Sequence, residues 1–589
     1  VLNAEFTYDN LNETETKYSK RTRFANSDKF SEEYTSDYST YSRQRAITNY
    51  TALNIYGSYA KSFANNNFSL LLGYNQESNH YDYLKAETSN MINDDMPSIS
   101  QSVGVQKAYD KFTEYTVMGF FGRLNYDFAN RYLLELNGRY DASSKFPSGS
   151  RWGFFPSLSV GWRVMEESFM EPLRDYIPEF KIRGSIGTVG NQNIDPYQFV
   201  PSMESEKSKW LDNNTQPITL KQPGLVSGNF TWETVRTLNL GFDISALKNR
   251  LSANFDLFRR DTKDMLTSGS QLPATLGATA PLQNVADLKS TGFELELAWR
   301  DQIGKVHYNI GFNLYDYKAY ITKFKNNVAG VIRTSDNKTY VEGQQLGEIW
   351  GYVTDRLYTV DDFVEGTLDA NLKNGTLKDG IPHVEGVKPN PGDMMYKDLD
   401  GNGIINSGNE TIYDPGDRKI IGNNSLRFQY GINGGLSWNN FSFSFLLQGV
   451  GKCDKWLTND LIFPYYYEFG TIYEHQLDYW TSENTGAFFP RLYETGMRNT
   501  NYAANVRAQT KYLTNGAYLR VKNLTLGYPI PQSVISKIGI NNLRVYVSAE
   551  NPFTFDHMPK GLDPAVESKA NGLGYPFMSS YAFGFSVSL

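Results

Sequence analysis

The 589-residue sequence has a single cysteine, Cys453. A lone thiol excludes an intramolecular disulfide framework and zinc sites built on paired cysteines. Histidine is nearly as scarce: His80, His307, His383, His475 and His557 stand apart, with neither HExxH nor HxH spacing. No run approaches 18 consecutive apolar residues, so no membrane helix is expected. Neither sign of charge prevails strongly. The net charge of −7, with 21% charged residues, argues against a dedicated nucleic-acid binder. Glycine (49) and proline (23) are at ordinary levels, which excludes collagen and Pro/Gly-rich disorder. Catalytic signatures are missing too. There is no GxSxG elbow and no GxxxxGK[ST] loop. Neighbouring acids such as Glu166-Glu167 and Asp361-Asp362 would point to opposite faces of a strand and form no dyad. The chain is therefore read as no enzyme. No signal peptide opens it: Val1-Leu2-Asn3-Ala4-Glu5-Phe6 reads as a strand, so either the start is processed or residues upstream are missing.

Aromatic residues are abundant, at 15%. A disordered chain would be poor in them. The mean hydropathy of −0.49 is that of a soluble protein. A transmembrane barrel gives the same average, because lipid-facing and lumen-facing residues alternate and cancel.

Period-two alternation dominates. Phe120, Gly122, Leu124, Tyr126 and Phe128 alternate with Arg123, Asn125 and Asp127. Tyr132, Leu134 and Leu136 alternate with Glu135, Asn137 and Arg139, and the same pattern recurs at 293–299, 306–314, 441–447, 543–549 and 581–589. This is strand periodicity with one apolar and one polar face. Roughly sixteen to eighteen strands are expected, many of ~10 residues, the length that crosses a bilayer when tilted. Residues 10–47 are polar and rich in Tyr and Ser, read either as long strand extensions or as a loop. Short Asn-containing turns join the strands at 128–131, 247–250, 438–441 and 539–542. The connections on the other side are long, near 189–232, 324–426 and 452–515. Short turns alternating with long loops are the asymmetry of an outer-membrane barrel. The competing reading is a secreted or surface β-sandwich protein that binds glycans or mediates adhesion without transport, since sandwiches alternate in the same way. Aromatic clusters at strand ends, such as Trp152 with Phe154 and Trp438 with Phe441, favour the barrel, because girdles lie there.

Several motifs then occur in order: Phe121-Gly122-Arg123-Leu124-Asn125-Tyr126; Arg139-Tyr140-Asp141-Ala142-Ser143-Ser144-Lys145-Phe146; Arg151-Trp152-Gly153-Phe154-Phe155-Pro156; Lys181-Ile182-Arg183-Gly184-Ser185-Ile186-Gly187; Pro391-Gly392-Asp393; Tyr518-Leu519-Arg520-Val521-Lys522-Asn523; Gly561-Leu562-Asp563-Pro564. From about residue 45 onward the chain resembles the SusC/RagA-like TonB-dependent outer-membrane transporters. Ala142, where that family usually has Gly, and the terminal Leu589, where outer-membrane barrels usually end on an aromatic residue, depart from its pattern. The resemblance implies an all-β fold: an antiparallel transmembrane β-barrel of the 22-stranded plugged type. Residues 1–589 are read as its C-terminal part, without the plug and the first strands. It further implies integral residence in the outer membrane of a Gram-negative bacterium, among outer-membrane lipid. The implied activity is import of an oligosaccharide or peptide ligand. The implied partners are a SusD-like surface lipoprotein as lid, a TonB complex acting through a plug segment, and a dimer of transporter–lid pairs.

Two local readings come from the residues themselves. Asp398, Asp400 and Asn402 occupy positions 1, 3 and 5 of an EF-hand-like loop, followed by Gly403 at position 6. Ile404 would offer a carbonyl at position 7, and Asn406 sits at position 9. Position 12 is Asn409 rather than Glu, with Asp414 and Asp417 beyond. The segment is either a structural Ca²⁺ loop or an Asp/Asn/Gly-rich turn without metal; no other cofactor is expected. Between 452 and 515, Trp456, Tyr465, Tyr466, Tyr467 and Trp480 are candidates for ligand contact, with Phe463, Phe469, Tyr473 and Tyr479 nearby. Flat aromatic faces beside Asp and Asn suit sugars and peptides equally, and the same rings suit packing against a neighbouring protein.

Overall fold

In the computed structural model, sixteen strands join one mostly antiparallel sheet whose spatial order is the order of the chain. They are β1 (Leu2–Ser19), β2 (Thr40–Phe63), β3 (Asn66–Ser89), β4 (Lys107–Phe128), β5 (Tyr132–Ser143), β6 (Trp152–Arg163), β7 (Glu179–Asn191) and β8 (Glu233–Ala246). There follow β9 (Leu251–Ser268), β10 (Leu282–Ile303), β11 (Val306–Phe324), β12 (Arg427–Trp438), β13 (Phe441–Lys452), β14 (Tyr518–Pro529), β15 (Asn542–Asp556) and β16 (Ser580–Ser588). The structure describes all residues except 26–32, 36–37, 213–214, 229, 270–271, 333–339, 461, 468–469, 471, 494, 537–538, 567–576 and 589. Phe469 and the terminal Leu589 thus lie outside the described residues. No described helix is long and apolar enough to cross a membrane, which says nothing of strands.

The strand count and the all-β, antiparallel barrel class expected from the sequence are met. The uncertain N-terminal stretch is strand extension at both ends: residues 2–19 pair along their whole length with residues 40–57. At ~3.3 Å per residue, the 24-residue β2 and β3 span ~80 Å. That far exceeds a ~25 Å apolar band.

Two compact units interleave along the chain. The first comprises 1–161, 185–236 and 262–285. Its β4–β5 hairpin turns through Ala129 and Asn130, both at positive φ, with the Asp127 carboxylate accepting the Asn130 N–H at 2.8 Å. Two positive-φ residues are what a two-residue turn needs to match strand twist. One face of this hairpin is polar: Arg123 Nε donates to Asn137 Oδ1 at 2.7 Å, and Asn137 Nδ2 to Glu135 Oε1 at 2.7 Å. The other face exposes large apolar groups: Phe120 is 54% exposed, and Phe128, Tyr132 and Leu136 are exposed with it. Large apolar groups left exposed along one strand face, opposite a polar face, are the pattern of a lipid-facing wall rather than of a soluble fold. The unit's small buried cluster is Phe146, Phe230 and Trp232, with Trp232 Nε1 donating to the Arg151 carbonyl at 2.8 Å.

The second unit comprises 162–184, 237–261 and 286–589. Arg183 lies between two acids, with Nε 3.0 Å from Asp243 and Nη1 2.6 Å from Asp256. On β11 and β12, Asn309, Asn313 and Asn433 lie opposite Gly435, Gly431 and Gly311. A Cβ on any of these glycines would come within 2.6–2.7 Å of the facing amide oxygen, so the alternation of Asn and Gly lets flat amides lie across the neighbouring strand. The outward faces again carry exposed Trp438, Phe441, Leu526 and Val547. The connections 325–426 and 453–517 belong wholly to this unit.

Candidate functional site

The two longest connections form the largest buried core of the second unit. Tyr352, Met394, Tyr396 and Ile405 from 325–426 pack with Phe463, Phe489, Tyr502 and Tyr512 from 453–517. Short ladders stiffen them: Glu348–Tyr352 with Arg418–Asn423, Thr354–Leu357 with Met394–Tyr396, and Asp454–Lys455 with Thr514–Asn515.

The polar centre of this core is Asp393, of the Pro391-Gly392-Asp393 motif. Its carboxylate accepts from the Tyr493 hydroxyl at 2.9 Å, Asn505 Nδ2 at 2.8 Å, Asn501 Nδ2 at 2.8 Å and the Asn390 N–H at 2.8 Å. Burial is the largest influence and pushes its carboxyl above the usual carboxylate range, against the pull of these donors. Gly392 has φ +90°, and a side chain there would run into the Trp480 ring. Arg491 lies 4.8 Å over that same ring while donating to the carbonyls of Leu372, Pro391 and Asn371. Trp480 is 5% exposed. It packs the loop core and presents no face for a ligand.

The other predicted aromatics differ among themselves. Tyr467 is exposed at 40%, with its ring edge-on to Tyr466 at 5.0 Å. Tyr465 holds φ +57°, which re-aims the chain at this point. Tyr466 packs against the loop core, and burial raises its hydroxyl pKa. Trp456 is half-buried against Phe463 at 5.9 Å and lines a cavity of about 760 Å³. Trp350, Tyr340, Glu348 and Asn424 also line that cavity. Burial pushes the Glu348 carboxyl up, against the pull of the Gln345 N–H and the Trp350 side chain. Trp350 and Glu348 were not among the sequence candidates. They sit on a short loop strand with no periodicity to distinguish it.

Asp398 and Asp400 do converge, and Asp417 joins them: one carboxylate oxygen from each lies within 4.8 Å of the others. Two of the other predicted ligands, Asn402 and Asn406, are turned to local bonding, while Ile404 sits in a short parallel pairing with His383. Asn402 Oδ1 accepts the Ile404 N–H at 2.7 Å, and Asn406 Oδ1 accepts the Gly408 N–H at 2.8 Å. Asp417, fully buried, accepts from the Leu399 and Asn406 N–H groups. The Gly403 N–H, followed by that of Gly401, holds the Asp398 carboxyl below its usual range. All three acids are thus oriented by backbone donors, and each oxygen keeps a second lone pair.

Comparison with known proteins agrees with this architecture. A family described as TonB dependent receptor-like, beta-barrel, matches residues 1–349. The chain is 28% identical over 519 residues to TonB-dependent receptor P3 of Formosa agariphila, covering 86% of this chain and 48% of that protein. It is 27% identical over 557 residues to TonB-dependent receptor SusC of Bacteroides thetaiotaomicron, covering 91% and 49%. The chain therefore spans about half the length of the curated relatives it matches. Among solved structures, the RagAB peptide importer in its open-open state superposes with a TM-score of 0.77 at 20% identity, covering 100% of this chain and 59% of that one. The RagAB peptide transporter gives 0.76 with 60% coverage. These are likenesses of fold.

Proposed function

Because the chain belongs to the TonB-dependent receptor-like β-barrel family, a family integral to the Gram-negative outer membrane, we propose that it serves there as the barrel of an importer for oligomeric nutrients, glycan or peptide. The match of residues 1–349 to that family is the observation that carries the reading. A β-sandwich adhesin would divide its strands between two packed sheets. Here sixteen strands hydrogen-bond in one.

In this proposal the knitted loops capture the oligomer under a SusD-like surface lipoprotein. Exposed Tyr467 and half-buried Trp456 supply aromatic faces. A TonB complex, acting through a plug segment, opens the path along the polar strand faces. A structural Ca²⁺ on Asp398, Asp400 and Asp417 pins the 398–417 turn. The test is uptake. A strain lacking this protein is supplied with oligomers as sole carbon or nitrogen source, with and without the restored gene and with an inactive TonB. Loss of growth on one oligomer class, restored only with active TonB, supports import. Growth unaffected by deletion on every oligomer overturns it.

A further inference from the structure

A second cavity, of about 310 Å³, lies in the second unit at the edge of the loop core. That is the small end of the ~300–1,000 Å³ range of ligand cavities, room for an end group rather than a length of chain. His475, His557 and Lys511 converge on it from three separate segments, against walls that include Phe488, Phe489 and Tyr512. Two of the chain's five histidines thus meet at one place.

Lys511 is held rather than waving free. Its ammonium sits 5.5 Å from the Phe488 ring centre and 5.7 Å from that of Tyr512. Its burial lowers the ammonium pKa, and Asp478 is the charge that opposes this. Asp478 is itself engaged, by Asn484 Nδ2 at 3.0 Å and by the Phe488 N–H at 3.1 Å. No carboxylate is among the described lining residues. His475 is fixed by stacking on Tyr473 at 5.9 Å. A cavity whose described lining carries a lysine, two histidines, apolar walls and no acid suits an anion carried on an apolar body. Among the described lining residues the other neutral polar groups are Thr514, Asn515 and the Tyr512 hydroxyl, which already donates to the Phe488 carbonyl at 2.7 Å. A sugar ring, which needs a partner for each hydroxyl, is poorly served there.

We propose that this cavity takes the C-terminal carboxylate of an oligopeptide ending in an apolar residue. The carboxylate meets Lys511, His475 and His557, and the terminal side chain lies against Phe488, Phe489 and Tyr512. The inference rests on the import reading and names peptide as the substrate class.

Calorimetric titration of the full-length protein in detergent tests it, with its lipoprotein partner retained where one co-purifies. The probes are a tetrapeptide of three alanines and a terminal leucine, the same peptide as its C-terminal amide, a neutral oligosaccharide and one ending in glucuronate. The free acid is expected to bind at least about ten-fold more tightly than the amide, the worth of a charged hydrogen bond. Lys511→Met is expected to reduce the acid to the affinity of the amide while leaving the amide unchanged, which also shows that the variant is folded. His557→Gln is expected to give a smaller loss of the same kind. Equal binding of acid and amide by the native protein overturns the proposal and leaves import standing. Lys511-dependent binding of the glucuronate oligomer without the peptide overturns the peptide assignment. Absence of binding by all four probes counts against import itself, and the pocket falls with it.

Discussion

The Arg520 guanidinium and the Asp563 carboxylate meet at 2.6 Å, both almost fully buried. Each belongs to one of the ordered sequence motifs, and the pair fastens the start of β14 to the connection that follows β15. The Phe577 ring lies 4.8 Å from the same guanidinium, and Thr554 accepts from its Nε at 3.0 Å. Removing one member of such a pair leaves an uncompensated charge, at about 3–5 kcal/mol. Asp563→Ala is expected to lower the temperature at which the protein loses its heat-modifiable gel migration. Arg520→Met with Asp563→Leu is expected to recover most of that loss. A double variant no better than the single one would contradict the pairing.

Asp393 predicts an unusual pH response. Its carboxyl is pushed above the usual range by burial, so the folded loops hold a proton that the unfolded chain has already released. Stability contributed here falls as pH rises through the window between the ordinary carboxylate pKa of ~4 and the raised folded value. Amide-exchange protection at 391–396 and 501–506 should therefore increase as pH is lowered through that window, intrinsic exchange rates being corrected for. Asp393→Asn places an amide group among donors and should cost about 1–3 kcal/mol. It should also abolish the pH dependence. Identical pH profiles in the two proteins would sink the assignment.

Gly392→Ala should loosen the same core without touching any charge. A left-handed backbone on a non-glycine residue costs about 1–3 kcal/mol, and the added carbon meets the Trp480 ring. The expected readout is faster proteolytic nicking within 371–393 with the strand sheet still intact. Unchanged nicking would show that the loop absorbs the side chain.

Ca²⁺ is expected to slow amide exchange across 398–417, and a chelator to reverse this. At 100 times the dissociation constant the stabilisation would be about 2.7 kcal/mol. Asp417→Asn should remove the response, while Asn406→Ala should leave it, because Asn406 is turned to the Gly408 N–H. A response that survives Asp417→Asn would relocate the ion.

Alternation made the strands legible. Phe120 to Phe128 and Tyr132 to Leu136 repeat every second residue because one face of each strand meets a different medium from the other. The short turns were legible for the same local reason. What alternation cannot carry is the interior of the long connections. Asp393, Tyr493 and Asn505 form one network although they are 100 and 112 residues apart, and no spacing rule joins them. Trp480 read as a candidate ligand contact because composition records a ring, not whether Arg491 and Gly392 cover it. The Asp398 turn was visible as a motif, but its third acid, Asp417, is delivered by the return of the chain rather than by loop position. His475, Lys511 and His557 give no sequence signal at all, since three segments must fold before they share a cavity.

The one-after-another order of the sheet has a consequence for how this protein can change over time. Each strand finds its partner next door in the sequence, so the short turns can set the alignment of each hairpin whatever the length of the connections on the other side. A connection such as 325–426 can therefore lengthen, shorten or be exchanged without shifting any strand by a residue. Novelty can accumulate there while the wall that carries it is inherited unchanged.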